Sequence, residues 1–166
     1  MKTIVLFTRR NVGLISLSYL IARGYKVYVI SDDADVLWLA LSLGVIARPH
    51  IKYLKDLGDF DMVMSVHWHK VIPVEYFNGK PAINIHPLLH LGDRYKGRNP
   101  VLKYIESNET VGGISAHYMT EIPDEGDIIA TETFVTGNIN DYASFYNIAF
   151  PFYFKAIDGA LKKLGI

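Results

Sequence analysis

Asn84 and His86 carry the most chemistry-bearing pattern in the chain. The segment Pro81-Ala82-Ile83-Asn84-Ile85-His86-Pro87 is apolar and strand-like, yet ends in two hydrogen-bonding side chains. Strand alternation sends Asn84 and His86 to one face while Ile83 and Ile85 go to the other, so an amide and an imidazole reach one small volume. An amide N–H can stabilise a developing oxyanion, and an imidazole, titrating near neutrality, can move a proton. The alternative is a strand terminus that carries polar residues and does nothing further. Residues elsewhere in the chain must decide between the two.

Such a pair works only on a rigid frame. The chain has 166 residues, half of them hydrophobic, with 17 basic and 17 acidic side chains, which predicts one globular domain over residues 1–166. The balanced charge gives no electrostatic footprint for a nucleic-acid partner or an anionic membrane. There is no cysteine, which excludes disulfides, thiolate metal sites and cysteine nucleophiles. The apolar run Ile4-Val5-Leu6-Phe7 is too short for a signal sequence or a membrane span, so a cytoplasmic protein is expected.

The order of elements follows from periodicity. The first run reads as a buried strand, and residues 11–23 carry Leu14, Leu17, Tyr19, Leu20 and Ile21 at helical spacing up to Gly24. Tyr25-Lys26-Val27-Tyr28-Val29-Ile30 is a second strand, which completes a βαβ unit. Ser31-Asp32-Asp33 caps a helix over 34–43, followed by strand 45–47, a short helix over 50–57 and strand 60–66. The Asn84/His86 segment is the fifth strand. Asn99-Pro100 then opens a helix, and strands 110–119 and 128–135 flank the turn Pro123-Asp124-Glu125-Gly126. A terminal helix over 141–164 is capped by Asn140 or Asp141, and Pro151 should kink or break it. The fold class expected is α/β: a three-layer, mostly parallel Rossmann-like sheet with an antiparallel C-terminal extension.

A βαβ opening raises the question of nucleotide cofactors. The first turn, Phe7-Thr8-Arg9-Arg10-Asn11-Val12-Gly13, lacks both the three-glycine dinucleotide fingerprint and a P-loop, so neither NAD nor ATP is expected. Arg9, Arg10 and Asn11 stand where a helix N-terminus favours an anion; the alternative is that both arginines solvate a loop. His67 and His69 alternate along a strand, but no third ligand accompanies them, and no metal is expected. Phe145, Tyr146, Phe150, Phe152, Tyr153 and Phe154 make the last helix strongly aromatic, suited to the core and to a homodimer contact.

Four motifs in one order change the odds for Asn84 and His86. Asn84-Ile85-His86-Pro87, Tyr95-Lys96-Gly97, Gly113-Ile114-Ser115-Ala116-His117 and Asp124-Glu125-Gly126-Asp127-Ile128-Ile129 together resemble the catalytic domain of the 10-formyltetrahydrofolate-dependent formyltransferases. The similarity covers about residues 60–135; the first sixty agree in architecture only. The resemblance implies a triad of Asn84, His86 and Asp124, supported by His117. It implies 10-formyltetrahydrofolate as formyl donor, with Trp68, His69, Val71, Ile72, Ile122 and Pro123 lining its pocket. It also implies a small-molecule amine as acceptor; Arg9, Arg10 and Asn11, from their place at the helix N-terminus, and Tyr95 are the candidate contacts for it. Formyl transfer passes through a tetrahedral carbon bearing an oxyanion, to which the Asn84 amide can donate while His86 carries the proton and Asp124 orients the imidazole.

Departures from the family pattern bear on the acceptor. Leu88 replaces a small residue after the His-Pro pair, and His90-Leu91-Gly92-Asp93-Arg94 replaces a shorter turn. The glycine-rich phosphate loop of a glycinamide ribonucleotide transformylase is missing, and the basic C-terminal domain of a tRNA formyltransferase is not expected. A nucleotide-linked amino sugar is the preferred acceptor. The alternatives are a formyltetrahydrofolate hydrolase, a phosphoribosylglycinamide formyltransferase-like enzyme and a non-catalytic folate-binding module.

Overall fold

The computed structural model describes residues 1–89, 94–97 and 99–166. The strand order is β3-β2-β1-β4-β5-β6-β7 in one seven-stranded sheet. Contacts divide the chain into two compact units, Met1–Asn84 and Ile85–Ile166, so that β5 (Ala82–Pro87) supplies residues to both.

The first unit begins with β1 (Thr3–Thr8), whose six residues are all buried, as a central parallel strand requires. It pairs in parallel with β2 (Lys26–Ile30) on one side and β4 (Met62–Val66) on the other, and β2 pairs in parallel with the short β3 (Ala47–Arg48). Helices α1 (Arg10–Ala22) and α2 (Ala34–Ser42) are the crossovers. At Gly13 an added Cβ would lie 2.8 Å from Thr8 Oγ1. The glycine in this first turn therefore lets α1 approach β1. Asp33 holds two elements at once: its carboxylate accepts from Asp35 N (3.1 Å) and Val36 N (3.3 Å) at the start of α2, and from Arg10 N (3.0 Å) at the start of α1. Two single 3₁₀ segments, Ile51–Asp56 and Val74–Phe77, complete this unit.

The second unit contains α3 (Pro100–Ser107), β6 (Val111–Tyr118), β7 (Ile128–Val135) and α4 (Tyr142–Leu164). β6 and β7 are antiparallel, with Val111 opposite Val135, and their register shifts between Ala116 and His117. The step leaves Ile129 of β7 as the extra residue, the arrangement of a β-bulge opposite Ala116 and His117. Tyr104, Phe145 and Tyr153 are fully buried and form the aromatic core, with Tyr104 and Phe145 edge to face at 5.6 Å.

These elements match the expected order to within about two residues at each end, and the mostly parallel sheet with its antiparallel extension is the architecture the periodicity predicts. Of the two outcomes expected at Pro151, a kink or a break, the break does not occur: α4 runs unbroken for 23 residues. Pro151 is exposed, so the carbonyl left without its usual donor faces solvent, while Phe145, Ala149, Tyr153, Ala156 and Ile157 hold the inner face. Of the two candidate caps for this helix, Asp141 fills the role: it accepts from Ser144 N at 2.8 Å and Ser144 Oγ at 2.6 Å.

Because Asp33 caps α2 and also satisfies Arg10 N, Asp33→Ala should lower the free energy of unfolding by about 1–2 kcal/mol, whereas Asp33→Asn should lose less than half of that. Urea denaturation of the three proteins checks this, and equal midpoints for Asp33→Ala and the unaltered chain would refute it.

Candidate active site

Three ionisable side chains meet in the second unit: His86 near the end of β5, His117 near the end of β6, and Asp124 in the turn that leads to β7. Both histidines are buried. His86 Nδ1 lies 3.7 Å and His117 Nε2 3.5 Å from the same carboxylate oxygen, Asp124 Oδ1. The two rings stand edge to face at 6.3 Å.

Main-chain atoms orient all three groups. His86 Nε2 donates to the Tyr95 carbonyl at 2.9 Å, and His117 Nδ1 donates to the Tyr118 carbonyl at 2.9 Å. A carbonyl only accepts, so each outer nitrogen carries a proton and each inner nitrogen is turned to the carboxylate. The other oxygen, Asp124 Oδ2, accepts Gly97 N–H at 2.9 Å, and Lys96 pairs with Glu125 at 2.8 Å, so the 94–97 segment is fastened to the Asp124 turn. Asp124 sits in the left-handed region (φ 59°), which aspartate tolerates better than most residues. Leu88 is more strained, at φ 90°. Its N–H donates to Gly113 O at 2.7 Å and its carbonyl accepts from Ser115 Oγ at 3.0 Å, so two β6 residues hold the chain where it leaves β5.

The electrostatics follow from burial and from these contacts. Burial pushes the His86 pKa down; the Asp124 charge and the bond to the Tyr95 carbonyl oppose that shift without reversing it, so His86 is a neutral base at pH 7. Burial pushes Asp124 up, but the His117 hydrogen bond, the His86 charge and the Gly97 N–H outweigh it and hold the carboxyl well below its usual range. A neutral His86, an ionised Asp124 and a second imidazole on one oxygen can pass a proton between them over short distances.

Asn84 occupies the same strand, two residues before His86, and is partly exposed where Ile83 and Ile85 are fully buried, as alternation predicts. The other expected residues separate by unit. In the first unit, Trp68 packs edge to face on Phe7 at 5.8 Å and lies 5.3 Å from the His69 ring. His69 and Val71 are exposed and Ile72 is buried. Arg9 lies 3.7 Å from Asp32, which also pairs with Lys70 at 2.7 Å and His69 at 3.5 Å. Arg10 and Asn11 are exposed, but the Arg10 amide is taken by Asp33. The Arg9 charge is thus already answered by Asp32, and the Arg10 amide by Asp33. His67, at φ 57°, has its pKa pushed down to about 4 by burial and by Arg10 and Arg9, which leaves it uncharged at neutral pH. In the second unit, Ile122 and Pro123 are exposed beside Asp124. Tyr95 is 3% exposed; its ring packs on Tyr104 and its phenol meets Ser107 at 3.3 Å, so its contribution to the cluster is its carbonyl. The altered turn at His90-Leu91-Gly92-Asp93 lies outside the described residues.

Sequence reasoning missed the supporting partners: the Tyr95 carbonyl, Gly97 N–H, the strained Leu88 and its Ser115 hydroxyl. The signal was present in Tyr95-Lys96-Gly97 and Gly113-Ile114-Ser115. Gly97 has φ 79°, and a Cβ on Gly113 would meet the Leu89 side chain and Glu132 O at 2.7 Å.

A buried imidazole and carboxylate at the ends of strands in an α/β sheet define a class of acid–base and group-transfer proteins. Comparison with known proteins narrows it: a family profile described as Formyl transferase matches residues 48–141, more than half the chain, and the chain belongs to that family. It is 30% identical over 111 residues to a methionyl-tRNA formyltransferase of Helicobacter acinonychis (strain Sheeba), covering 66% of this chain and 34% of that protein. It is 36% identical over 76 residues to a GDP-perosamine N-formyltransferase of Brucella melitensis, covering 45% and 29%. The chain therefore spans about a third of the length of these relatives. In fold it is similar to a phosphoribosylglycinamide formyltransferase from Streptococcus pneumoniae TIGR4, with a TM-score of 0.79 at 21% identity over the whole of both chains. No helix among the described residues is long and apolar enough to cross a membrane.

Two predictions follow from this geometry. A Cβ on Gly126 would collide with the carbonyl oxygen of Tyr118, which also orients His117. Gly126→Ala should therefore destabilise the protein by about 2 kcal/mol or more, measurable as a lowered unfolding midpoint. Asp124 also sets a pH dependence. Its folded pKa is depressed, so its stabilisation is fully present above the unfolded carboxyl value of about 3.9 and is lost as pH falls below it. The stability difference between the unaltered chain and Asp124→Asn should shrink below about pH 4 in denaturant titrations. A difference that goes on growing below about pH 4 would contradict the assignment.

Proposed function

We propose that the chain transfers a formyl group from 10-formyltetrahydrofolate to an amine of a small, nucleotide-linked amino-sugar substrate. The observation that carries this reading is the convergence of His86, two residues beyond Asn84, and His117 on Asp124, in a chain of the formyl transferase family. In this mechanism the amine nitrogen attacks the formyl carbon on folate N10, the C–N10 bond breaks from the tetrahedral intermediate, and a proton moves from the amine to the departing nitrogen. Asn84 donates to the oxyanion. His86, neutral at pH 7, takes the amine proton, and Asp124 stabilises the imidazolium that forms. His117 is assigned as a positioning residue for Asp124.

The donor contacts proposed are Trp68, His69, Val71 and Ile72, and in the second unit Ile122 and Pro123. The acceptor contacts proposed are Arg9, Arg10, Asn11 and Tyr95. Similarity to the perosamine enzyme supports the amino-sugar acceptor. A second reading, formylation of an aminoacyl-tRNA, is favoured by the methionyl-tRNA formyltransferase relatives over longer stretches of this chain. The proposed setting is cytoplasmic, with a homodimer as the candidate assembly.

Release of tetrahydrofolate, followed with and without candidate amines and with mass analysis of the product, tests the proposal. Amine-dependent release is expected, with His86→Ala lowering the rate by about 10²–10⁴-fold and Asn84→Ala by roughly 10²–10³-fold, while both variants still bind the folate. Release that is equally fast without any amine would replace the transferase by a hydrolase.

A further inference from the structure

We propose that His86 Nδ1, His117 Nε2 and Asp124 Oδ1 form a binding site for one divalent transition-metal ion of the zinc type. The three atoms lie within 4.8 Å of one another, and two of the three separations are 3.5 and 3.7 Å. In a tetrahedral zinc site, bonds of about 2.0–2.1 Å place ligand atoms about 3.3–3.4 Å apart. The carboxylate pairs therefore need to close by only a few tenths of an ångström.

The second observation is the orientation of each ligand. A metal-binding histidine usually donates its far N–H to a carbonyl or carboxylate, which fixes the tautomer and directs the near lone pair at the ion. Both histidines already have this arrangement, through the Tyr95 and Tyr118 carbonyls. Asp124 is oriented as well: Oδ2 accepts Gly97 N–H, and Oδ1 is the oxygen turned to both histidines. Burial of both rings keeps water from competing for the site. Two imidazoles and one carboxylate select zinc, cobalt or nickel over magnesium or calcium, which prefer all-oxygen shells. The sequence pattern concealed this trio because its ligands are separated by 31 and 7 positions on two strands and a turn, whereas His67 and His69 offered the more obvious alternation.

The ion and the transferable proton would occupy the same inner nitrogens. Binding of zinc therefore removes His86 as a base, so the metal acts as an inhibitor of the reaction proposed above. That consequence rests on the formyl-transfer reading, whereas the site itself rests on the three side chains alone.

Equilibrium dialysis of the chelator-stripped full chain against Zn²⁺, and absorption spectra with Co²⁺, test the site directly. The expected result is one equivalent bound, with the visible bands of four-coordinate cobalt that zinc abolishes. His117→Gln and Asp124→Asn should each weaken binding by about tenfold or more, and His69→Ala should leave it unchanged. Imidazole NMR of the unaltered chain gives a readout independent of how the variants fold: zinc should shift His86 and His117 together. Absence of binding, full binding by both His117→Gln and Asp124→Asn, or shifts confined to His50, His67 and His69 would overturn the proposal. Binding without inhibition of formyl transfer would uphold the site and count against the catalytic role of these atoms.

Discussion

Two imidazoles directed at one carboxylate oxygen need positive charge between them. With both outer nitrogens donating to carbonyls, the inner nitrogens of His86 and His117 face Asp124 Oδ1 attractively only when a proton or another cation lies among the three. Much of the second unit serves this constraint. The Tyr118 carbonyl aims one ring, the Leu88 backbone fixes where the chain leaves the other, and the left-handed Asp124 turn brings the carboxylate to both. Burial raises the stakes, because charge that is poorly answered in a low-dielectric interior costs far more than it does in water.

The first unit follows a different logic. Its four parallel strands are held by continuous apolar runs, and its polar side chains fasten elements together at the strand ends. Asp61 accepts from Thr3 N and Lys2 at the start of β1, Thr8 Oγ1 reaches the Val66 carbonyl at its end, and Asp32 and Asp33 gather the cations and amides of the first turn. Gly13 makes the same point, since it gives room to Thr8. An anion at this turn would have to compete with two resident carboxylates.

Much of this was legible in the sequence, for reasons that can be named. Apolar periodicity reports burial, so β1, β2, β4 and the two strands of the antiparallel extension stood out, and Asp33 and Asp141 announced their helices by type and position. Asn84 and His86 were legible because polar residues in an apolar strand cost energy unless they are used or satisfied. Three things were not legible. That Pro151 leaves α4 continuous was not legible because sequence does not say which side of a helix faces water. The Asp32 and Asp33 contacts with Arg9 and Arg10 join residues more than twenty positions apart. The partners of the two histidines are backbone carbonyls, and every residue type supplies one.

That last feature has an evolutionary consequence. A side chain that orients a functional group is exposed to every missense change at its position, but the Tyr95 and Tyr118 carbonyls persist under any substitution that leaves the local backbone in place. Position 118, whose side chain is exposed, is therefore free to drift in identity while His117 keeps its aim, whereas position 95 is held by the packing of its buried ring on Tyr104. The side chains nearest the cluster can be recruited to recognise a new acceptor without rebuilding the chemistry beneath them.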